Sequence, residues 1–315
     1  MKITILDSAT LGSDIDLSLF SELGETDIYQ VTEPNDIASR ISDCDVCIIN
    51  KVKLDSSVLP FAKNLKLICI AATGYDNIDT DYCAEHQIAV CNVAGYSANS
   101  VSQLTLAMVL SASVNLDSFK NAVADGSYTK GGVQNILTPV YHELAGKTWG
   151  IIGYGGIGKR VGAAAKALGC KVVVNKRTPI DDEECLPLDK LLSVSDIITV
   201  HVPLTNKTRN MISERELKLT KKGVMLVNVA RGAVLDEEAV AQYVENGHIG
   251  FFGCDVYSTE PMPESHPMYR IRQHKNVCLT PHMAWGAYEA RKRCMEEIKE
   301  NIISFINGGD RNRIV

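Results

Sequence analysis

Along most of the chain, short apolar runs alternate with stretches whose apolar residues recur every three or four positions. The runs at 3–6, 27–29, 46–50, 67–71 and 89–91 predict five β-strands, and the segments 18–23, 35–41, 57–61 and 80–86 predict helices between them. A long helical stretch follows at 101–124. The alternation then resumes, with strands at 171–174, 197–200, 224–228, 250–255 and 277–279 and helices at 161–168, 237–245 and 287–306. Apolar strands separated by helices predict parallel sheets covered on both faces. The pattern therefore reads as two doubly wound α/β units in series, and a length of 315 residues suits two domains. Ligands of such sheets bind beyond the carboxyl ends of the strands.

One stretch carries a sharper signal. Thr148-Trp149-Gly150-Ile151-Ile152 runs as a strand into G-x-G-x-x-G, formed by Gly153, Gly155 and Gly158. A helix and a further strand follow, the order that a dinucleotide-binding βαβ unit requires. Gly153 permits the turn, Gly155 lets the backbone approach a pyrophosphate, and Gly158 lets helix and strand pack closely. The helix N-terminus offers N–H groups and partial positive charge to phosphates.

Composition narrows the partners. A net charge of −6 argues against a nucleic-acid backbone or an anionic membrane surface. The most apolar long run, 101–114, contains Ser102, Gln103, Thr105, Ser111 and Ser113, so it reads as a buried helix and no membrane span is expected. Ten cysteines without an export signal point to a reducing cytoplasm. Cys44 and Cys47 form a C-x-x-C with no partner pair elsewhere. They read as small apolar residues leading into a strand, and no metal site is expected.

Three clusters lie just past strands of the second unit. Arg231 follows the strand at 224–228, and a guanidinium there can hold a carboxylate and polarise a neighbouring carbonyl. Glu260 precedes a proline, which favours extended backbone. His282 follows the last strand, and histidine is suited to exchanging a proton near neutrality. A glutamate beside it would fix its tautomer and favour its charged form.

With GYGGIG, HVPLTNKTRNMI, NVARGAVLDEEAV, DVYSTEP and TPHMAW in this order, the chain resembles the D-isomer-specific 2-hydroxyacid dehydrogenases over essentially its full length. The resemblance implies a flavodoxin-like substrate-binding domain (1–98 plus 286–315), a Rossmann NAD(P)-binding domain (99–285) and a cleft between them. Arg231 would bind a 2-oxo acid. His282 would protonate its carbonyl oxygen as hydride reaches the carbon, and Glu260 would keep His282 charged. Thr73, Gly74 and Tyr75 would form the carboxylate-binding loop. Lys51 and Trp285 would complete the substrate side. The cofactor contacts implied are Gly153, Tyr154, Gly155, Gly156, Ile157, Gly158, Asn175, Lys176, Arg177, Thr178, His201, Pro203, Thr208, Val229, Ala230, Asp255 and His282.

The second strand of the βαβ unit ends in Asn175-Lys176-Arg177-Thr178, where NAD-preferring units place a carboxylate for the ribose 2′-OH. A basic turn with a hydroxyl suits a 2′-phosphate, so NADP is favoured over NAD. His282-Met283-Ala284-Trp285 and Ala94-Gly95-Tyr96-Ser97 resemble the hydroxypyruvate reductase and glycerate dehydrogenase branch, which points to hydroxypyruvate and glyoxylate. The helix at 101–124, with its small residues, is expected to form a homodimer contact. The competing reading is a catalytically silent, cofactor-sensing protein with a corepressor-like role on the same scaffold.

Overall fold

The computed structural model describes residues 1–178, 180 and 183–315. The chain divides into two compact units, Met1–Ser97 with Trp285–Val315, and Ala98–Ala284. The divisions fall one residue before the expected 98/99 and 285/286, so Trp285 belongs to the first unit.

The first unit holds a five-stranded, all-parallel sheet in the order β2-β1-β3-β4-β5. Its strands are β1 (Lys2–Ile5), β2 (Glu25–Ile28), β3 (Val46–Ile49), β4 (Leu67–Ile70) and β5 (Ala89–Cys91). Alternate residues of a strand point to opposite faces, and both faces here are covered. Ile3, Ile5, Val46, Ile48, Leu67 and Cys69 pack with Ala290, Met295, Ile298 and Ile302 of the final helix, Tyr288–Ile306. Cys47, Ile49, Ile68, Ile70 and Val90 pack on the other side with Ile37, Ile41 and Cys83. The run Val-Cys-Ile-Ile is buried along its whole length for this reason. Cys44 and Cys47 are fully buried in this core, and no metal-binding cluster occurs among the described residues.

The second unit carries a seven-stranded parallel sheet in the order β12-β11-β10-β9-β6-β7-β8. The strands are β6 (Thr148–Ile152), β7 (Lys171–Asn175), β8 (Glu184–Cys185), β9 (Ile197–Val200), β10 (Val224–Asn228), β11 (Ile249–Cys254) and β12 (Val277–Leu279). Strand order reverses between β6 and β9, the switch point at which doubly wound sheets open a crevice for ligands.

Several elements depart from the expected pattern. The helix expected at 101–124 is two helices, Ala98–Ser113 and Leu116–Ala124, broken where Asn115 adopts φ +50°. Asparagine tolerates this left-handed conformation better than other side chains with a Cβ. The helices expected at 18–23 and 57–61 are single 3-10 turns, Ser18–Phe20 and Leu59–Phe61. Such short segments cannot offset helix nucleation and take their shape from packing. The helix Glu214–Leu219 is not among the expected helices although its signal is local: Ser213 and Glu216 form a reciprocal capping box. Among the described residues, no helix is long and apolar enough to cross a membrane.

Candidate active site

The glycines after β6 are fixed by their surroundings. Gly153 has φ +93°, and a Cβ there would lie 2.7 Å from the carbonyl carbon and oxygen of His201. At Gly158 a Cβ would meet the Gly153 carbonyl oxygen at 2.3 Å, so the helix Gly156–Ala167 sits directly on the turn. Gly155 is different: a Cβ there would meet nothing within 4 Å. The turn is therefore tight on its inner side and open at Gly155, beside the exposed Gly156 and half-buried Ile157 at the helix start.

His201 follows β9 at the same switch point, and its N–H donates to the Ile152 carbonyl (2.7 Å). Both ring nitrogens are buried and, among the described residues, have no hydrogen-bond partner. Burial pushes the imidazole down to about 3, so it stays neutral. Buried polar atoms without partners are rare and call for an explanation. An open glycine turn, a free helix N-terminus and an unpartnered imidazole at one switch point fit a dinucleotide's phosphates and sugars.

Other expected cofactor residues have protein partners. The Tyr154 phenol donates to Glu183 Oε1 (2.6 Å), which also pairs with Lys166 (2.7 Å). Asn175 donates its amide to the Leu186 carbonyl (2.9 Å), while its own carbonyl accepts from Gly153 N–H (2.9 Å). Lys176 is half-buried, and Arg177 and Thr178 are exposed beyond it. Thr208 Oγ1 donates to the Pro203 carbonyl (2.6 Å), closing the loop after His201. Val229 is buried, and the backbone of Ala230 and Arg231 is held by Asn228, fully buried at the end of β10. Its side chain accepts from Ala230 N–H (3.0 Å) and donates to the Arg231 carbonyl (2.9 Å).

The three residues expected to do chemistry follow three neighbouring strands. Arg231 lies just after β10, half-buried, with Nη1 donating to the Ala230 carbonyl (2.8 Å). Glu260 follows β11 and His282 follows β12. His282 Nδ1 lies 2.5 Å from Glu260 Oε2, and Glu260 Oε1 accepts from Tyr257 N–H (2.8 Å). An ionised carboxylate only accepts, so Nδ1 carries a proton.

His282 adopts φ +53°, a strained backbone for a residue with a Cβ. Asp255, fully buried at the end of β11, holds this loop from below. Its carboxylate accepts from Thr280 Oγ1 (2.6 Å), Met283 N–H (2.9 Å) and Ala284 N–H (2.8 Å). Burial raises the Asp255 carboxyl above the ordinary range, while these bonds work against that rise. All these hydrogen bonds run to the His282 loop, so Asp255 supports the proposed acid–base residue, a role its place in the expected cofactor set did not convey.

In the first unit, Lys51 and Thr73 follow the adjacent strands β3 and β4. Asp7, buried after β1, holds the Lys51 loop: its carboxylate accepts from the N–H groups of Asn50 (2.9 Å), Lys51 (2.5 Å) and Val52 (3.1 Å). Thr73 donates its hydroxyl to the Val93 carbonyl (2.8 Å), and its own carbonyl accepts from Asn92 Nδ2 (2.7 Å), which sets the course of the Thr73–Gly74 loop. Tyr75 is exposed. Trp285 packs edge-on to Tyr96 (6.3 Å), and Lys51 Nζ lies 6.0 Å from the Trp285 ring centroid. Asp7, Asn228 and Tyr257 were not singled out in the sequence; a polar residue at the end of an apolar strand was the available signal.

Comparison with known proteins places the chain in a family. Residues 106–284 match the D-isomer specific 2-hydroxyacid dehydrogenase, NAD binding domain. The chain is 32% identical to a hydroxypyruvate reductase of Blautia hydrogenotrophica over 99% of both chains. It is 33% identical to a glycerate dehydrogenase of Methylorubrum extorquens, covering 99% of this chain and 98% of that one. A solved acyclic imino acid reductase in complex with NADPH and D-arginine superposes with a TM-score of 0.88, 27% identity and full coverage of both chains. The chain thus belongs to the D-isomer specific 2-hydroxyacid dehydrogenase family and is an oxidoreductase that uses a nicotinamide cofactor.

Proposed function

We propose that this enzyme reduces small 2-oxo acids, hydroxypyruvate and glyoxylate first, to D-2-hydroxy acids, with His282 as proton donor. The observation that carries this reading is the 2.5 Å contact between His282 Nδ1 and Glu260 Oε2, with Arg231 on the next strand but one. Arg231 binds the substrate carboxylate and draws electron density from the carbonyl oxygen. The reduced nicotinamide supplies the hydride that reaches the carbonyl carbon. His282 Nε2 delivers its proton to the carbonyl oxygen, so the C=O bond becomes CH–OH. Glu260 stabilises the imidazolium before transfer, and solvent restores the proton afterwards. In oxidation His282 accepts the hydroxyl proton instead. Lys51, Thr73, Gly74, Tyr75 and Trp285 serve as the substrate side.

NADPH is the preferred reductant in this reading. No carboxylate stands among Asn175, Lys176, Arg177 and Thr178. Of the carboxylates that follow at 181–184, Glu183 is engaged by Tyr154 and Lys166 and Glu184 by Lys171. Two cations and a hydroxyl suit a 2′-phosphate. A homodimer is also proposed. Leu116, Val123, Val133, Leu137, Val140 and Tyr141 are all exposed within one segment of the second unit, and exposed apolar side chains gathered in one place suit a subunit contact.

The test is a panel of 2-oxo acids assayed with NADPH and NADH, following loss of the reduced cofactor. Turnover of hydroxypyruvate or glyoxylate, with a higher kcat/KM for NADPH, is the expected result. Cofactor binding without turnover of any 2-oxo acid overturns the reading in favour of a silent binding protein.

A further inference from the structure

Beneath the three site residues of the second unit lies a second polar cluster that the reaction does not use directly. Its centre is the stretch Tyr257–Ser258, which contacts Glu260 directly and the neighbours of Arg231 and His282 in sequence. A Cβ on Gly232 would lie 2.1 Å from the Tyr257 carbonyl carbon and 2.2 Å from Ser258 N, so this peptide packs on the backbone next to Arg231. Tyr257 N–H donates to Glu260 Oε1 (2.8 Å). The Tyr257 phenol donates to the Thr280 carbonyl (2.9 Å), two residues before His282.

The same peptide is gripped from its other side. Glu237 Oε1 accepts from Ser258 N–H (2.9 Å), and Glu237 Oε2 accepts from Ser258 Oγ (2.5 Å) and lies 3.0 Å from His266 Nε2. Glu237 and His266 are buried. His266 Nδ1 accepts from Met268 N–H (3.2 Å), so the ring proton sits on Nε2 and points at Glu237. The Tyr257 ring stands edge-on to His266 at 6.0 Å. Three donors thus converge on one carboxylate. It also lies in the first turn of the helix Glu237–Glu245, where the helix dipole favours negative charge.

We propose that Glu237 is a positioning residue for the reduction: through Ser258 and Tyr257 it fixes the Glu260 carboxylate against His282. This rests on the reading of His282 and Glu260 as the acid–base pair. The dependence follows from geometry. Glu260 is oriented by the Tyr257 N–H, one peptide group before the Ser258 N–H that Glu237 holds, and a shift of this two-residue stretch moves the Glu260 anchor and the Thr280 contact together. In this arrangement Glu237 bears chiefly on where the proton donor stands, through Glu260 and the Thr280 contact.

The test is Glu237→Gln in the full-length protein, assayed with NADPH and the 2-oxo acid of highest turnover. Glutamine offers one acceptor and one donor to three donors, so at least one contact turns repulsive. The expected result is a fall in kcat of roughly 10- to 100-fold, the scale of a small misplacement of reacting groups. The NADPH Kd is expected to stay within about 3-fold, and any rise in KM is expected to be smaller than the fall in kcat. A double-mutant cycle then separates positioning from general damage. If Glu237 acts through Glu260, Glu237→Gln costs nothing further in a Glu260→Gln background. Additive losses, an unchanged kcat, or a parallel loss of NADPH affinity overturns the proposal. Ser258→Ala, which removes one donor and keeps the peptide N–H, gives the same pattern in milder form and serves if Glu237→Gln does not fold. If Glu260→Gln alone leaves the rate unchanged, the acid–base reading fails and this proposal falls with it. If Glu260→Gln is slow while Glu237→Gln and Ser258→Ala keep full kcat, only this proposal fails.

Discussion

Two glycines of the same turn, three residues apart, are expected to respond in opposite ways to one added methyl group. At Gly158 a Cβ would stand 2.3 Å from the Gly153 carbonyl oxygen and 3.1 Å from Ile151 Cγ2. The first neighbour is backbone and cannot rotate away, so relief requires the helix Gly156–Ala167 to lift by about 1 Å from the turn. Overpacking of this kind costs about 1–3 kcal/mol. Alanine's better helix propensity returns up to about 1 kcal/mol, leaving a net loss of about 1–2 kcal/mol, or a Tm lowered by roughly 2–8 °C. At Gly155 a Cβ meets nothing within 4 Å, and φ −91° and ψ −155° are open to any residue. Gly155→Ala is therefore expected to keep its Tm or raise it slightly, because alanine restricts the unfolded chain. Its methyl nevertheless projects where the pyrophosphate must approach, and an overlap costing about 1–3 kcal/mol weakens binding roughly 10- to 100-fold. Calorimetric unfolding of each variant and fluorescence titration with NADPH and NADH measure the two quantities separately. Gly158→Ala should lose both stability and affinity, and Gly155→Ala affinity alone. Wild-type affinity in Gly155→Ala would refute the turn as the phosphate cradle, and destabilisation equal to that of Gly158→Ala would refute the geometry.

His282→Gln is expected to lower kcat for hydroxypyruvate reduction by roughly 100- to 10,000-fold, with the NADPH Kd nearly unchanged; near-normal turnover would remove the proton donor. Arg177→Ala should raise KM for NADPH far more than for NADH, and equal changes would end the 2′-phosphate reading. His201, held neutral by burial down to about 3, binds no proton that the unfolded chain takes up below about pH 6.5. The stability it contributes is full above that pH and is lost as pH falls toward 3, at up to about 1.4 kcal/mol per unit. In cofactor-free protein, His201→Asn should therefore flatten the loss of unfolding free energy between pH 7 and pH 5 (both set by the experimenter, about the histidine range), and an identical loss in both proteins would contradict the buried neutral imidazole. Light scattering should give twice the chain mass, falling toward one chain when Val133 and Leu137 are changed to serine.

The chain's apolar runs determined much of the architecture. Strands such as Val46–Ile49 and Ile197–Val200 are buried end to end, so their composition declares a sheet covered on both faces. The Gly153-Gly155-Gly158 spacing declared a tight strand-to-helix turn, because the positive φ of Gly153 and the close approaches at Gly153 and Gly158 favour glycine, while Gly155 leaves the turn open. Arg231, Glu260 and His282 were legible for a similar reason: strand ends at the carboxyl edge are where a parallel sheet presents chemistry. The break at Asn115 and the 3-10 turns were not legible, since five or six residues carry too little helix propensity to decide their own conformation. Nor could spacing show which strands are neighbours. The side-by-side placement of β10, β11 and β12 puts residues 231, 260 and 282 past three neighbouring strand ends, and only that placement makes a 2.5 Å contact between His282 and Glu260. The supporting groups Asp255, Asn228, Tyr257 and Glu237 are ordinary polar residues in one dimension. Their roles arise because burial removes water and leaves each of them to satisfy donors and acceptors from distant parts of the chain.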